Sequence, residues 1–242
     1  MSDFDDYALD YEKRMHQTLS FALTSEQYQA EYKSKLIKRY ASRSRKISKI
    51  LDFGCGVGLS VPSLQENFPE AKIFLTDVSE VSLNVVRQKF DAVTVLKAEL
   101  ETDEKFDVIF MSTVLHHITA KDRFKIIEKL KLRLSNDGCI FIVEHNTYNP
   151  LTLKIVADCD MDHDAELVSI RDLKRFLTTE CSLKVVDSGF CSFFPQPLKA
   201  LAKIDRVLRR VPLGGQYFLV GAGCRDEALN RSIHCPVLGC FC

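Results

Sequence analysis

The amino-acid sequence predicts an α/β protein built on a doubly wound sheet of seven strands. Three observations carry this reading. Short apolar runs alternate with segments of helical period from Lys49 to Gly223, the pattern of successive βαβ units. The runs are apolar almost throughout, as strands covered on both faces are. The first run closes on a cluster of glycines, "ILDFGCGVGLS", where a strand passes into a helix.

The elements follow in order. Residues 4–43 read as helix, with Tyr7, Tyr11, Met15 and Leu19, then Tyr28, Tyr32, Leu36 and Tyr40, recurring at helical spacing. Thr24-Ser25-Glu26 marks a break and a new helix start. After a polar boundary at 42–46, "KILDF" is the first strand. "GLSVPSLQENF" is a helix that tolerates Pro62 because a missing N–H costs little in a first turn. "AKIFLTD" is the second strand, and "SEVSLNVVRQKF" a helix capped by Ser79. "AVTVL" and "FDVIFMS" are the third and fourth strands. The amphipathic "AKDRFKIIEKLKLRL" ends at a polar turn, "SNDG". "CIFIVE", "SLKVVDS" and "QYFLVGAG" complete the strands, with the helix "SIRDLKRFLTTE" between the first two of these.

This divides the chain into an N-terminal helical cap (1–46), a main domain (47–223) and a tail expected to be mobile (224–242). Two connections, near 145–168 and 190–215, are long for this architecture, and such loops are commonly functional.

The bulk composition narrows the classes of function. With 242 residues the chain can bury a large core, and its formal net charge of +0 provides no general attraction for nucleic acid. Its 9 cysteines are odd in number and scattered, which suits reduced thiols rather than a disulfide framework. The start "MSDFDDYALDYEKR" has no apolar core of a secretory signal, and no apolar run approaches the ~20 residues of a membrane span. A cytoplasmic protein is expected.

The glycine turn is the strongest chemical signal. Glycines at 54, 56 and 58 let the backbone turn tightly and approach a ligand. The spacing is GxGxG and position 59 is Leu, whereas the dinucleotide fingerprint wants Gly or Ala there. Asp52, at the strand end, would crowd a pyrophosphate but suits a ligand with an ammonium group. Asp77 closes the second strand, where an acidic side chain suits ribose hydroxyls.

In order, "ILDFGCGVGLS", "LTDVSEVSL", "FDVIFMSTVLHHI" and "LRLSNDGCIFIVEHN" resemble the motifs of class I S-adenosylmethionine (SAM)-dependent methyltransferases. The small-molecule branch that includes ubiquinone- and menaquinone-biosynthesis enzymes is the most similar. The resemblance covers residues 47–146, with weaker support to about 223. It implies a Rossmann-like sheet, mostly parallel with an antiparallel last strand, and SAM as cofactor. It places Asp52, Gly54, Cys55, Gly56 and Gly58 around the methionyl part of SAM and Asp77 at the ribose. Val78 and Ser79 fall beside the adenine, and Met111 under the sulfonium. The segment "LKAELETDE" lacks the family's usual Gly-Asp, which leaves Glu99 as the candidate near the adenine amine.

The strand ends form the rim of such a sheet, so His116 and His117, after the fourth strand, are candidate bases. Glu144 and His145 end the fifth strand. With Tyr148, Phe193 and Phe194 in the long connections, they are the expected acceptor pocket. Tyr7 and Tyr11 are expected to cover the cofactor.

The acceptor expected is a small molecule or lipid-like compound bearing an oxygen, nitrogen or carbon nucleophile. Protein methylation, non-catalytic SAM binding, and a nucleotide-sugar or NAD enzyme on the same fold are the alternatives. The basic amphipathic segment "LKALAKIDRVLRR" permits contact with a membrane surface but is expected to be a helix packed on the domain. No metal is expected. Asp158, Asp160, Asp162 and Asp164 mimic the start of a calcium loop, but His163 and Ser169 stand where its glycine and glutamate belong. The Cys-rich tail matches no familiar zinc spacing. The oligomeric state is left open.

Overall fold

The computed structural model describes residues 25–41, 46–98, 100–159 and 162–223. Tyr7, Tyr11, Glu99 and the tail therefore lie outside the described residues. The strands are β1 (Lys49–Phe53), β2 (Lys72–Thr76), β3 (Thr94–Val95), β4 (Phe106–Ser112), β5 (Leu134–His145), β6 (Leu183–Cys191) and β7 (Gln216–Gly223). The α-helices are α1 (Glu26–Tyr40), α2 (Val61–Asn67), α3 (Glu80–Lys89), α4 (Ala120–Lys131), α5 (Pro150–Ala157), α6 (Ile170–Thr179) and α7 (Asp205–Leu208).

The sheet runs β3-β2-β1-β4-β5-β7-β6. Neighbours from β3 to β5 pair in parallel, and β7 runs antiparallel to both β5 and β6. The expected mixed sheet with an antiparallel last strand is thus present. The chain winds outward from β1 through β2 to β3, then returns to lay β4 on the other side of β1. That reversal opens a crevice beyond the ends of β1 and β4.

Successive residues of each central strand enter opposite layers. Ile50, Val108, Phe110, Phe141 and Val143 pack into the layer that α1, α2 and α3 cover. Leu51, Ile109, Met111, Ile140 and Ile142 pack into the layer of α4 and α6. Each fully buried aliphatic side chain contributes about 1.5–3 kcal/mol, so the two-sided strands fix the register firmly. The cysteines at 55, 139, 159, 181 and 191 are unbridged and buried, as small apolar side chains would be.

The element boundaries agree with the sequence reading in one place and depart from it in three. The predicted new helix start is real, since the Ser25 hydroxyl caps α1 by accepting from Tyr28 N at 3.2 Å. The third strand shrinks to two residues at the sheet edge, Thr94–Val95. The "SNDG" turn lies within β5, where the pairing with β4 jumps from Phe106↔Leu134 to Val108↔Cys139. A Cβ on Gly138 would sit 2.7 Å from the Phe106 carbonyl, so the bulge needs its close backbone approach. Finally, the basic segment is not one α-helix. A 3-10 stretch, Gln196–Ile204, has non-helical torsions at Leu198 and passes into α7.

Helix α1 is tied to the rest by buried polar contacts. Ser34 donates to the Ser63 carbonyl at 2.8 Å. The Tyr32 hydroxyl donates to Asp205 and accepts from Ser192 N at 3.0 Å, fastening α1 to the connection between β6 and β7. Tyr32→Phe leaves a buried carboxylate and a backbone N–H without their partner. It is expected to cost about 1–3 kcal/mol, read as a lower urea midpoint with an unchanged slope.

Candidate active site

A cavity of about 790 Å³ occupies the crevice beyond β1 and β4. Its walls come from α1, the glycine turn, the ends of β2 and β4, α5 and the segments 192–195 and 213–216. Both long connections therefore reach it. They are also bonded to each other. Asn146 donates to the Pro212 and Gly214 carbonyls at 3.1 and 2.7 Å, and Asn149 donates to the Leu213 carbonyl at 2.8 Å.

At one end stands the glycine turn. Gly54, Gly56 and Gly58 all have positive φ, between 51° and 80°. A Cβ on Gly54 would strike Val114 at 2.5 Å, whereas one on Gly56 would meet nothing within 4 Å. Gly54 is thus a packing requirement, and Gly56 keeps the cavity open. Asp77 braces the turn by accepting from Gly56 N at 2.8 Å and Ser79 N at 2.9 Å. Asp52 lines the cavity, is 3% exposed and accepts from the Ser60 hydroxyl. Burial pushes its carboxyl up to about 7, with the Asp77 charge adding and the Ser60 bond and Lys33 opposing. Lys33 enters the cavity from α1 and donates to Ser112 Oγ at 2.7 Å. Its burial lowers the ammonium to about 8.

At the other end a buried carboxylate organises the histidines. Glu144 accepts from Val114 N at 3.0 Å and Leu115 N at 2.8 Å, and its second oxygen lies 2.6 Å from His116 Nδ1. Asp162, from the connection after α5, places Oδ1 3.3 Å from His116 Nε2 and 3.4 Å from His117 Nε2. Burial disfavours the charge of His116, but Glu144 and Asp162 outweigh it and raise the ring to about 9. Burial and then the neighbouring His116 charge lower both His117 and His145 to about 4. At neutral pH those two rings are uncharged. Thr113, between β4 and this loop, holds a positive φ of 54°, a conformation rare for a β-branched residue and typical of strained sites.

The structure sorts the sequence candidates. Asp52, Gly54, Cys55, Gly56, Asp77, Val78, His117, His145, Phe193 and Phe194 line the cavity. Six others sit elsewhere, for physical reasons. Met111 is fully buried in the α4–α6 layer, because strand alternation turns it away; Ser112 and Thr113 line the cavity instead. Gly58 packs against Phe90 and Val86, and Ser79 is spent as the N-cap of α3, accepting from Ser82 N. His116 is buried behind His117, and Glu144 is committed to the loop backbone. Tyr148 packs edge-on to Phe190. Lys33, Ser60, Ser112 and Asp162 were not foreseen. Lys33 resembles any lysine on a helix surface until the helix is docked. Asp162 was visible only as one of a run of aspartates.

The methyltransferase domain family model matches residues 51–140, the glycine turn through β5. The computed structure superposes on a plantazolicin methyltransferase bound to S-adenosylhomocysteine, with a TM-score of 0.65 at 16% identity, covering 91% of this chain and 94% of that one. A SAM-dependent methyltransferase from Archaeoglobus fulgidus gives 0.64 at 16% identity, covering 90% and 100%. Residues 51–140 thus match a methyltransferase domain, and the chain has the fold of SAM-dependent methyltransferases. Among curated relatives, malonyl-[acyl-carrier protein] O-methyltransferase 2 of Ilyobacter polytropus is 27% identical over 144 residues, 55% of this chain and 54% of that protein. An uncharacterised protein of Rickettsia prowazekii is 31% identical over 113 residues, 43% of this chain and 44% of that protein. The methyltransferase domain thus spans about half the length of the curated relatives it matches.

The two glycines separate packing from ligand space. Gly54→Ala should destabilise the fold by more than the ~1–2 kcal/mol of left-handed strain alone, because it also displaces Val114. Gly56→Ala should cost only about that strain while weakening S-adenosylhomocysteine binding at least tenfold. Thermal melts and calorimetry on both variants check the contrast.

Proposed function

We propose that this chain transfers the methyl group of SAM to an oxygen, nitrogen or carbon atom of a small-molecule acceptor with an apolar portion. The observation that carries the reading is one continuous cavity with a carboxylate-flanked glycine turn at one end and uncharged histidines at the other. Its volume suits a small-molecule site, which spans ~300–1,000 Å³. The name of the curated Ilyobacter relative, an O-methyltransferase, agrees with an oxygen acceptor.

The residues fit the cofactor. Open space at Gly56 admits a ligand against the backbone. Asp52, buried and short of counter-charge, gains from an ammonium group. Asp77, a carboxylate at the end of β2 beside the turn, is of the chemistry that suits ribose hydroxyls. Val78, 64% exposed, offers an apolar edge beside them. When bound, SAM supplies an electrophilic methyl on a sulfonium. The chain's part is to orient the acceptor in line with it and to exclude water. Ile155, Phe193, Phe194 and Leu213 supply the apolar wall, and His117 and His145 can accept a hydrogen bond from an acceptor hydroxyl or amine.

Calorimetry tests the donor assignment. S-adenosylhomocysteine should bind and NAD should not; the reverse result overturns the proposal. The pH dependence has a definite sign. In the free protein Asp52 is protonated below about 7 and must lose that proton to pair with an ammonium group. Affinity should therefore fall as pH drops from 8 to 5, by up to about tenfold per unit. Asp52→Asn should flatten that profile and bind at least tenfold more weakly at pH 8.

A further inference from the structure

We propose that His116, His117 and Asp162 bind a divalent first-row transition-metal ion at the acceptor end of the cavity. These residues belong to two segments, the loop after β4 and the connection after α5. Their ligand atoms all lie within 4.8 Å of one another. The spacing is close to what an ion requires. A tetrahedral ion with bonds of about 2.0–2.1 Å sets its ligand atoms about 3.3–3.4 Å apart. Asp162 Oδ1 stands 3.3 Å from His116 Nε2 and 3.4 Å from His117 Nε2.

Two features of the His116 ring point to a ligand. The His116 side chain is 1% exposed, and its Nε2 meets only Asp162 Oδ1, at 3.3 Å and without well-formed hydrogen-bond geometry. A buried ring nitrogen so poorly matched gains from an ion that completes both groups. The other ring nitrogen, Nδ1, faces Glu144 Oε2 at 2.6 Å. A carboxylate on the far nitrogen is the arrangement that fixes a metal-binding histidine, and an ion would bind Nε2 by displacing the proton that the ring holds toward Asp162 at neutral pH.

The two segments are also held in place without an ion. Arg123 donates to the Leu115 and Ile118 carbonyls at 3.1 and 2.9 Å and to the Glu166 carbonyl at 2.6 Å. Glu166 N in turn donates to the His116 carbonyl at 2.7 Å. These bonds tie the loop after β4 to the segment four residues beyond Asp162, bringing the two sides of the site together.

Two imidazoles and one carboxylate suit zinc, cobalt, iron or manganese rather than calcium or magnesium. Three protein ligands leave a position open, the mark of a catalytic rather than structural site. His117 and Asp162 line the cavity, so that position faces the acceptor. An ion there would hold an acceptor oxygen or nitrogen and draw charge from it. This role rests on the methyl-transfer reading; the binding of the ion does not.

The test uses the tag-free full chain, stripped with chelator and titrated with Co²⁺. One equivalent should bind with visible ligand-field absorption, and Zn²⁺ should displace it. His117→Ala and the conservative Asp162→Asn should each weaken Co²⁺ on the order of 100-fold, and Glu144→Gln by about 10- to 100-fold. S-adenosylhomocysteine calorimetry on the same samples reports whether each variant is folded. It reads the glycine-turn end, so the donor assignment and the metal site can fail separately. The proposal is overturned if Co²⁺ does not bind, or if folded His117→Ala and Asp162→Asn bind it as the parent does. It is equally overturned by a near-ultraviolet thiolate–cobalt band that His117→Ala leaves unchanged, which would place the ion on cysteines.

Discussion

The carboxylate of Glu144 is the contact on which the histidine end of the cavity depends. It leaves the end of β5, fully buried, and spends one oxygen on two loop amides and the other on the ring of His116. Removing water from a carboxylate is costly unless several donors replace it. Here the donors come from the loop after β4, so the penalty is met only when that loop folds against β5. One ion-pair geometry thus sets the path of the loop, the orientation of His116, and through Val114 the packing against Gly54. The glycine-turn and histidine ends of the cavity are joined mechanically through that valine.

The sheet was legible because its physics is local. Two-sided burial makes β1, β2, β4 and the core of β5 continuous apolar runs. Glycines and capping residues such as Ser79 mark where each strand hands over to a helix. The bulge at Gly138 escaped because the same four polar residues can end a helix or swell a strand. Only the pairing with Phe106 decides between them. The segment after β6 escaped for another reason. Leu198, Leu201 and Ile204 keep helical spacing, but they remain 40–48% exposed, and no packed face enforces an α-helix there.

Within the site, residues on the strand ends were readable and residues brought in from elsewhere were not. Asp52 and Asp77 announce themselves by ending strands beside a glycine turn. Met111 misled because a strand end has two faces, and one residue decides which of them meets the ligand. Lys33 and Asp162 arrive from an N-terminal helix and a long connection, and their sequence neighbours look like solvated surface.

The mutual bonds of Asn146 and Asn149 with residues 212–214 bear on how the cavity can open. Two segments far apart in the chain are tied into a single plate, since lifting one strips the carbonyls of 212–214, the buried Gly214 carbonyl among them, of their donors on the other. The plate is further pinned to α1 at Tyr32. A molecule entering from solvent therefore meets a hinge-and-latch rather than two independent flaps. Along the α1 side the latch is made by the Tyr32 hydroxyl, which holds the Ser192 amide.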